Sequence, residues 1–197
     1  MKILDYKDQI VVASKYFNSD EMIKIYHLGL RNFGENYVND LLTKKQSLSH
    51  LNDIKWHLIG HLQTNKVKKI INEIDYLHTL DSEKLAKEIQ KYRQMPLNCL
   101  IQLNLEENDQ KSGIFINQLD DLMKSIEKYD KINLIGLMTI GTINDLEKTE
   151  TIFKELASLK SKYSFKVISM GMSQDYEIAL KYHSDFLRIG SLFKEVI

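Results

Sequence analysis

The sequence is poor in several residue types, and each scarcity excludes a class of protein. A single cysteine among 197 residues rules out an intrachain disulfide and a cysteine-based zinc site, which suits a reducing cytosol. The 27 lysines and arginines are balanced by 27 aspartates and glutamates, whereas a general nucleic-acid binder usually carries a basic excess or a basic face. No apolar run approaches the ~20 residues of a membrane helix, and no signal peptide or lipidation signal is recognisable. We therefore expect a cytoplasmic protein that binds neither nucleic acid nor membrane.

Flexible linkers are also missing. The chain has one proline, Pro96, and eight glycines, with no low-complexity tract. Hydrophobic residues make up 43% of the chain, which is enough for a packed core. Length and composition together predict one domain that spans residues 1–197.

Eight short apolar runs alternate with amphipathic stretches of helical periodicity. Several runs are continuously apolar, as expected for strands that are covered on both faces. Repeated strand–helix units imply parallel pairing with right-handed crossovers. The simplest architecture is an α/β fold that closes into a TIM-type (β/α)8 barrel; an open doubly wound sheet is the alternative. The predicted strands are 10–14, 31–36, 55–60, 75–80, 98–104, 132–141, 165–171 and 185–190.

Two local features refine this barrel. The first run begins about ten residues into the chain, and ~200 residues is near the lower limit for such barrels, so any N-terminal helix is expected to be very short or absent. Short polar side chains are predicted to cap the N-termini of the helices. These residues are Ser19, Asn36, Ser82, Asn117, Asp145 and Ser173.

The chemistry of such a barrel is expected at the C-terminal ends of its strands. The first run ends at Lys15, and a lysine there can form a Schiff base with a carbonyl compound; a solvated surface lysine is the alternative. The last two runs end in SMGMSQD (169–175) and RIGS (188–191), and each contains a glycine and a hydroxyl residue. Two such turns suit a phosphate group, although glycine and serine also serve ordinary βα turns.

Other polar residues near the strand ends have two interpretations each. Arg188 faces either a ligand or an acid in the barrel mouth, and Asn36 is either a ligand contact or only a helix cap. Glu35 and Arg31 are predicted to form an internal ion pair. Lys111 lies in the long connection after the fifth strand, where it is either a ligand-facing residue or a surface lysine.

Two further residue types carry little chemistry in this pattern. His57 and His61 lie on a strand and its following loop, with no nearby carboxylate, so no metal site is predicted. Cys99 lies inside an apolar run and is expected to be a buried, unreactive thiol.

At its strand ends the sequence resembles the pyridoxal 5'-phosphate (PLP) homeostasis proteins, a family of single-domain PLP-binding barrels. The matching segments cover nearly the whole chain in the family's order, and the most specific motifs are WHLIGHLQTNK (56–66) and SMGMSQD, which opens SMGMSQDYEIAL (169–180). The resemblance implies a barrel like the N-terminal domain of alanine racemase, with a shortened N-terminus. The other matching segments are VVASK (11–15), FGENYV (33–38), HTLDS (78–82), IQLNLEENDQKSG (101–113), GLMTI (136–140) and RIGS.

The same resemblance implies a cofactor site. Lys15 would hold PLP as a Schiff base, Arg188 would face the pyridine nitrogen, and Lys111 would lie near the site. Two residues would line the ring pocket, Asn36 and Met138. The phosphate would be held by the last two strand ends, namely by Ser173, Gly190 and Ser191 and by backbone N–H groups around Met172.

The function that follows from the resemblance is that of a PLP carrier. Such a protein would bind PLP, limit the free aldehyde and supply the cofactor to PLP-dependent apo-enzymes as a monomer, without substrate turnover. An arginine at the ring nitrogen should keep that nitrogen unprotonated, which makes the ring a weaker electron sink. The chain departs from the family at its short N-terminus and after RIGS, where Lys194 follows Leu192 and Phe193. These departures concern stability and oligomeric state rather than Lys15 or the phosphate turns.

Two other functions compete with the carrier. A racemase or decarboxylase of the related PLP fold type carries a large β-domain after the barrel, and this chain ends seven residues beyond Gly190. A barrel enzyme for a phosphorylated metabolite would explain the phosphate turns but not Lys15. It would also need a carboxylate acid or base, for which Glu35 is the one plausible residue.

Overall fold

The computed structural model describes residues 2–106, 108 and 110–197. Eight parallel strands pair in the order of the sequence, and β1 pairs with β8, so the sheet closes into a barrel. The predicted barrel is therefore confirmed, and the open sheet is wrong. The strands are β1 (Ile10–Ala13), β2 (Asn32–Glu35), β3 (Lys55–Leu58), β4 (Tyr76–Leu80), β5 (Leu97–Gln102), β6 (Ile132–Met138), β7 (Val167–Met172) and β8 (Phe186–Ile189).

Helices cover the outside of the barrel. The segment before β1, Lys2–Gln9, consists of two short 3-10 turns separated by a kink at Tyr6, whereas any N-terminal helix was expected to be very short or absent. Another 3-10 helix, Ser191–Glu195, follows β8 in place of an α-helix. Within the described ranges, no helix combines the length and apolar character needed to cross a bilayer. The α-helices are α1 (Ser19–His27), α2 (Val38–Ser47), α3 (Val67–Ile70), α4 (Glu83–Tyr92), α5 (Leu119–Ile126), α6 (Leu146–Lys162) and α7 (Tyr176–Lys181).

The predicted helix caps are only partly right. Ser82 and Asp145 do cap α4 and α6, since their side chains accept hydrogen bonds from backbone amides of the first turn. For α1 the cap is Asn18 rather than Ser19, because Asn18 and Glu21 form a capping box there. The remaining three predictions, Asn36, Asn117 and Ser173, are wrong: α2, α5 and α7 begin after Tyr37, Gln118 and Asp175.

Apolar side chains form two layers. The large core lies between the strands and the helices, and it includes Trp56 on β3 and Phe153 on α6. Two small clusters lie elsewhere in the barrel, one around Val11 and Ile59 and one around Leu100 and Met138, and Phe186 packs against both. Because successive residues of a strand point to opposite faces, the second layer fills the inside of the barrel. The barrel is thus a packed core rather than a pore.

A buried ion pair fixes the turn after β1. Glu35, at the end of β2, is fully buried and pairs with Lys44 of α2. The Ser14 hydroxyl donates to Glu35 (2.8 Å), and the Lys44 ammonium donates to the Ser14 carbonyl oxygen (2.6 Å). The predicted pair of Glu35 with Arg31 is wrong, because Arg31 pairs with Asp53 (2.6 Å) and α2 brings Lys44 back over the strand.

Replacing Lys44 by methionine should destabilise the protein by about 3–5 kcal/mol, because it leaves a buried carboxylate without its partner. Lys55→Met is the control, since Lys55 and Asp75 form a 3.7 Å pair with side chains 58% and 38% exposed, and such exposed pairs contribute about 0–1 kcal/mol. Urea unfolding of both variants measures the difference. Equal losses of unfolding free energy would contradict the buried role of this pair.

Candidate functional site

A cavity of about 360 Å³ opens at the C-terminal ends of the strands, where the sequence predicts the site. It is lined by side chains or backbone of the turns after β1, β2, β3, β6, β7 and β8. Seven of the eight predicted cofactor residues line it together. They are Lys15, Asn36, Met172, Ser173, Arg188, Gly190 and Ser191.

Met138 is the predicted residue that does not line this cavity. It is fully buried and belongs to the cluster of Leu100 and Ile135 in the barrel interior. At the end of β6, Met138 belongs to an inward-facing layer below the cavity. The sequence shows only a run of apolar residues there, and such a run does not distinguish this layer from the mouth of the barrel. The cavity wall beyond β6 is formed instead by Ile140 and Gly141.

Lys15 projects from a short 3-10 turn, Ser14–Tyr16, that immediately follows β1. The turn is anchored from behind, because the one hydrogen of the Ser14 hydroxyl is shared between Glu35 and the Gly34 carbonyl oxygen, which lies 3.0 Å from the hydroxyl oxygen. The Lys15 ammonium nitrogen lies 5.0 Å from the centre of the Tyr16 ring. An exposed side chain on an anchored backbone can reach a ligand while its attachment point stays fixed.

The turns after β7 and β8 meet beside the Lys15 turn, because β8 pairs with β1. Gly171 has a φ of +92° and lies where the register of β7 against β8 shifts, a conformation that glycine adopts without strain. The Gly190 amide donates to the Ser173 hydroxyl over a long 3.4 Å contact. A Cβ at Gly190 would lie 2.6 Å from the Tyr16 ring. The two turns therefore place a hydroxyl and an amide together in a space that a larger residue would fill.

The Met172 amide, by contrast, is already engaged. It donates to the Asp175 carboxylate (2.5 Å), whose pKa is raised by burial. Donors for an anion at this turn are thus the hydroxyl of Ser173 and the neighbouring backbone groups rather than the Met172 amide.

Arg188 forms the floor of the cavity and is only 5% exposed. Its guanidinium donates to the Ser169 hydroxyl (2.7 Å) and to the Thr139 carbonyl oxygen (2.8 Å). Burial lowers the pKa of Arg188 to about 10, with Asp175 acting in the opposite direction, so the side chain is a cation at neutral pH. Among the described residues no carboxylate pairs with it. Its charge is therefore available to a ligand.

Sequence reasoning missed the residues behind Arg188. Ser169 contacts His78 (2.9 Å), and His78 contacts His57 (2.9 Å); all three are fully buried. The sequence carried one indication of these three residues, since each is a polar residue inside an apolar run. Burial lowers the pKa of His57 to about 3 and that of His78 well below its usual value, so both imidazoles are neutral at neutral pH.

A second cavity of about 280 Å³ adjoins the first and shares Asn36, Ile59 and Ile140 with it. Lys111 lines this second cavity, paired with Glu106. The Glu106 carboxylate also accepts from the Thr142 hydroxyl (2.7 Å) and pairs with Lys148 (3.0 Å). The hydrogen bond from Lys111 is the largest of the effects that lower the pKa of Glu106 to about 2.

Two expectations about other groups can be compared with the structure. Cys99 is fully buried, so its expected burial is confirmed, and burial raises the pKa of its thiol to about 12, which disfavours the reactive thiolate. His61 pairs with Asp81 (3.2 Å) at the edge of the second cavity. No group of three or more His, Cys, Asp or Glu residues suited to a metal ion occurs in the part of the chain that the structure describes.

Stability should fall as the pH drops from 7 to 5, because the buried histidines stay neutral in the folded state while unfolded histidine gains a proton near its ordinary pKa of about 6.5. Each such histidine should cost about 2 kcal/mol over this range. His57→Gln should remove about half of the pH dependence that the pair contributes, and His50→Gln, at an exposed histidine, is the control. Urea unfolding at pH 7 and pH 5 measures the free energy of unfolding of each variant. An equal change in that free energy between the two pH values for both variants would contradict neutral buried histidines.

Comparison with known proteins first gives the class. The model of a family described as alanine racemase, N-terminal domain, matches residues 13–193 of this chain. Alanine racemase from Corynebacterium glutamicum superposes with a TM-score of 0.71 at 13% identity, covering 98% of this chain and 57% of that one. At this identity the likeness shows the fold alone. The protein is a (β/α)8 barrel of the alanine racemase N-terminal domain class.

More similar proteins then give the family. Proteins named pyridoxal phosphate homeostasis protein are 39% identical over 197 residues in Helicobacter pylori (95% of this chain, 87% of that one) and 34% identical over 194 residues in Schizosaccharomyces pombe (92% and 81%). PipY of Synechococcus elongatus, in a structure with PLP bound, superposes with a TM-score of 0.83 at 26% identity, covering 94% of this chain and 91% of that one. The chain belongs to the pyridoxal phosphate homeostasis protein family.

Proposed function

We propose that this protein binds PLP in the cavity at the ends of the strands and takes part in PLP homeostasis. The observation that carries the proposal is the convergence of three kinds of group on one cavity: a lysine on one wall, an arginine at the floor, and the paired turns of Ser173 and Gly190. An aldehyde, a ring nitrogen and a phosphate are the three features of PLP that these groups suit. PipY, a structural neighbour, has been solved with PLP bound, which supports the same assignment here.

Lys15 is the residue proposed to hold the cofactor. Its amine condenses with the aldehyde of PLP to give a Schiff base and one molecule of water. Lys111, the other lysine that the family resemblance brings near the site, is held in an ion pair with Glu106. An ammonium engaged in an ion pair is a poor nucleophile, so this environment favours Lys15.

The floor of the cavity suits storage of PLP more than its use in catalysis. A guanidinium has only donors, so it matches an unprotonated ring nitrogen and disfavours a protonated one. Without a protonated ring nitrogen the cofactor is a weaker electron sink. A cytoplasmic monomer that holds PLP and supplies it to apo-enzymes, without turning over a substrate, is consistent with this electrostatic setting and with the names of the relatives.

The competing functions find less support in the site. A racemase or decarboxylase is the second candidate; the likeness to alanine racemase supplies the fold alone, and the arginine floor argues against carbanion chemistry. For a metabolite enzyme, the one carboxylate suggested as an acid or base was Glu35. That carboxylate is fully buried and bonded to Lys44 and Ser14, so it is not placed to act at the mouth.

Lys15→Ala should abolish the visible absorption of bound PLP and the adduct that borohydride reduction traps. Lys194→Ala is a matched control, because Lys194 lies 4.8 Å from the same Tyr16 ring as Lys15 but does not line the cavity. Spectra with added PLP, followed by peptide mapping after reduction, make the test. An adduct on Lys194 or spread over surface lysines in the unsubstituted protein would overturn the assignment.

The double variant Ser173→Ala/Ser191→Ala should weaken PLP binding by roughly tenfold or more, since a hydrogen bond to a charged group contributes about 1.5–3 kcal/mol. Pyridoxal, which lacks the phosphate, should bind the variant and the unsubstituted protein equally. Titration of each compound by absorbance gives the two affinities. A parallel loss for pyridoxal would place the phosphate elsewhere.

A further inference from the structure

A line of hydrogen bonds runs through the interior of the barrel and ends at Arg188. Arg188 donates to Ser169 (2.7 Å), Ser169 contacts His78 Nδ1 (2.9 Å), and His78 Nε2 contacts His57 Nδ1 (2.9 Å). The line continues from His57 Nε2 to the Asn32 side-chain oxygen (3.1 Å) at the start of β2. It therefore joins β2, β3, β4, β7 and β8 across the inside of the barrel.

The direction of every bond in this line follows from its two ends. A guanidinium can only donate, so the Ser169 oxygen accepts from Arg188 and its hydrogen is free to point to His78 Nδ1. His78 Nδ1 then accepts, and its proton lies on Nε2, which donates to His57 Nδ1. His57 carries its own proton on Nε2 and donates to the Asn32 oxygen. Both histidines are satisfied as neutral Nε2–H tautomers.

Aromatic packing holds this line in place. The His57 ring stacks on Tyr76 with a centroid distance of 4.3 Å and an interplanar angle of 7°. Phe186 packs against both histidine rings, at 5.4 Å from His57 and 5.3 Å from His78. The imidazoles are therefore fixed in orientation, and rotation of His78 would break the contacts at both of its nitrogens.

We propose that Ser169 and His78 are positioning residues for the cofactor, which fix the Arg188 guanidinium so that it presents a donor to the ring nitrogen of PLP. The Thr139 carbonyl oxygen holds one terminal nitrogen of Arg188 and Ser169 holds the other. Since the Ser169 hydroxyl must donate to His78, it is a fixed acceptor for Arg188 rather than a free rotor. The proposal rests on the proposed function, because it assigns these residues to the PLP site.

Nitrogen NMR of the cofactor-free protein tests the line directly. Both buried histidines should show the Nε2–H tautomer, and the Arg188 side chain should give one sharp set of resonances. Ser169→Ala should broaden or shift the Arg188 resonances and release the His78 tautomer. Ser184→Ala is the matched control, since Ser184 is a buried serine (3% exposed) bonded to Met170, and it should leave both signals unchanged.

The same pair of variants is then titrated with PLP. Ser169→Ala should weaken PLP binding by about tenfold, the size of one hydrogen bond to a charged group, and should shift the absorption band of the bound cofactor, whereas Ser184→Ala should do neither. A Nδ1–H tautomer or a protonated His78 in the unsubstituted protein would overturn the proposal, as would equal Arg188 resonances and equal PLP affinities in the two variants.

The readouts separate this proposal from the proposed function. If the unsubstituted protein does not bind PLP, the proposed function fails and the positioning role falls with it, even where the tautomers are as expected. If PLP binds but the tautomers or the Arg188 resonances disagree, only the positioning role fails. If Ser169→Ala does not fold, two other measurements decide the outcome. One is the tautomers of the histidines in the unsubstituted protein; the other is Ser169→Thr, which retains the hydroxyl and should keep the Arg188 signals.

Discussion

A positive charge inside the barrel, that of Arg188, constrains much of the structure around it. Taking a charged group out of water costs several kcal/mol unless hydrogen bonds or an opposite charge offset the loss. A carboxylate bonded to it would be the usual solution, but here the guanidinium donates to a hydroxyl and to a carbonyl oxygen, a neutral histidine lies behind the hydroxyl, and the Asp175 carboxylate acts on it only through space. These dipoles orient the group without neutralising it. The floor of the cavity consequently stays electropositive and rigid.

Much of the fold was predictable because the strands of a closed parallel barrel are buried on both faces. That environment produces continuous apolar runs, and all eight predicted runs overlap a strand, six of them containing it whole. The cavity residues were predictable for a related reason. In this architecture the ends of the strands converge on one face, so Lys15, Ser173 and Gly190 meet although they are far apart in the chain.

The errors arise where three-dimensional contacts decide between local alternatives. Lys44 displaces Arg31 as the partner of Glu35 because α2 folds back over β2, which no spacing reveals. Met138 lies in an interior layer and not among the residues that line the cavity, a depth that an apolar letter does not encode, and its contact with the ring stays a prediction. His78 and Ser169 belong to strands that are three apart in the barrel, so their contact through the interior has no sequence signature beyond two polar residues in apolar runs.

Tyr16 and Gly190 approach each other where β1 meets β8, and this junction is where the barrel can open. The strands β1 and β8 come from the two ends of the chain and meet in a short register from Ile10 opposite Leu187 to Val12 opposite Ile189. No loop connects them, so this seam is the natural place for fraying. A ligand that bound Lys15 on one side and Gly190 and Ser191 on the other, as proposed above, would hold the two strands together. Its release and the local opening of the barrel would then be linked equilibria, and amide exchange along β1 and β8 would report on both.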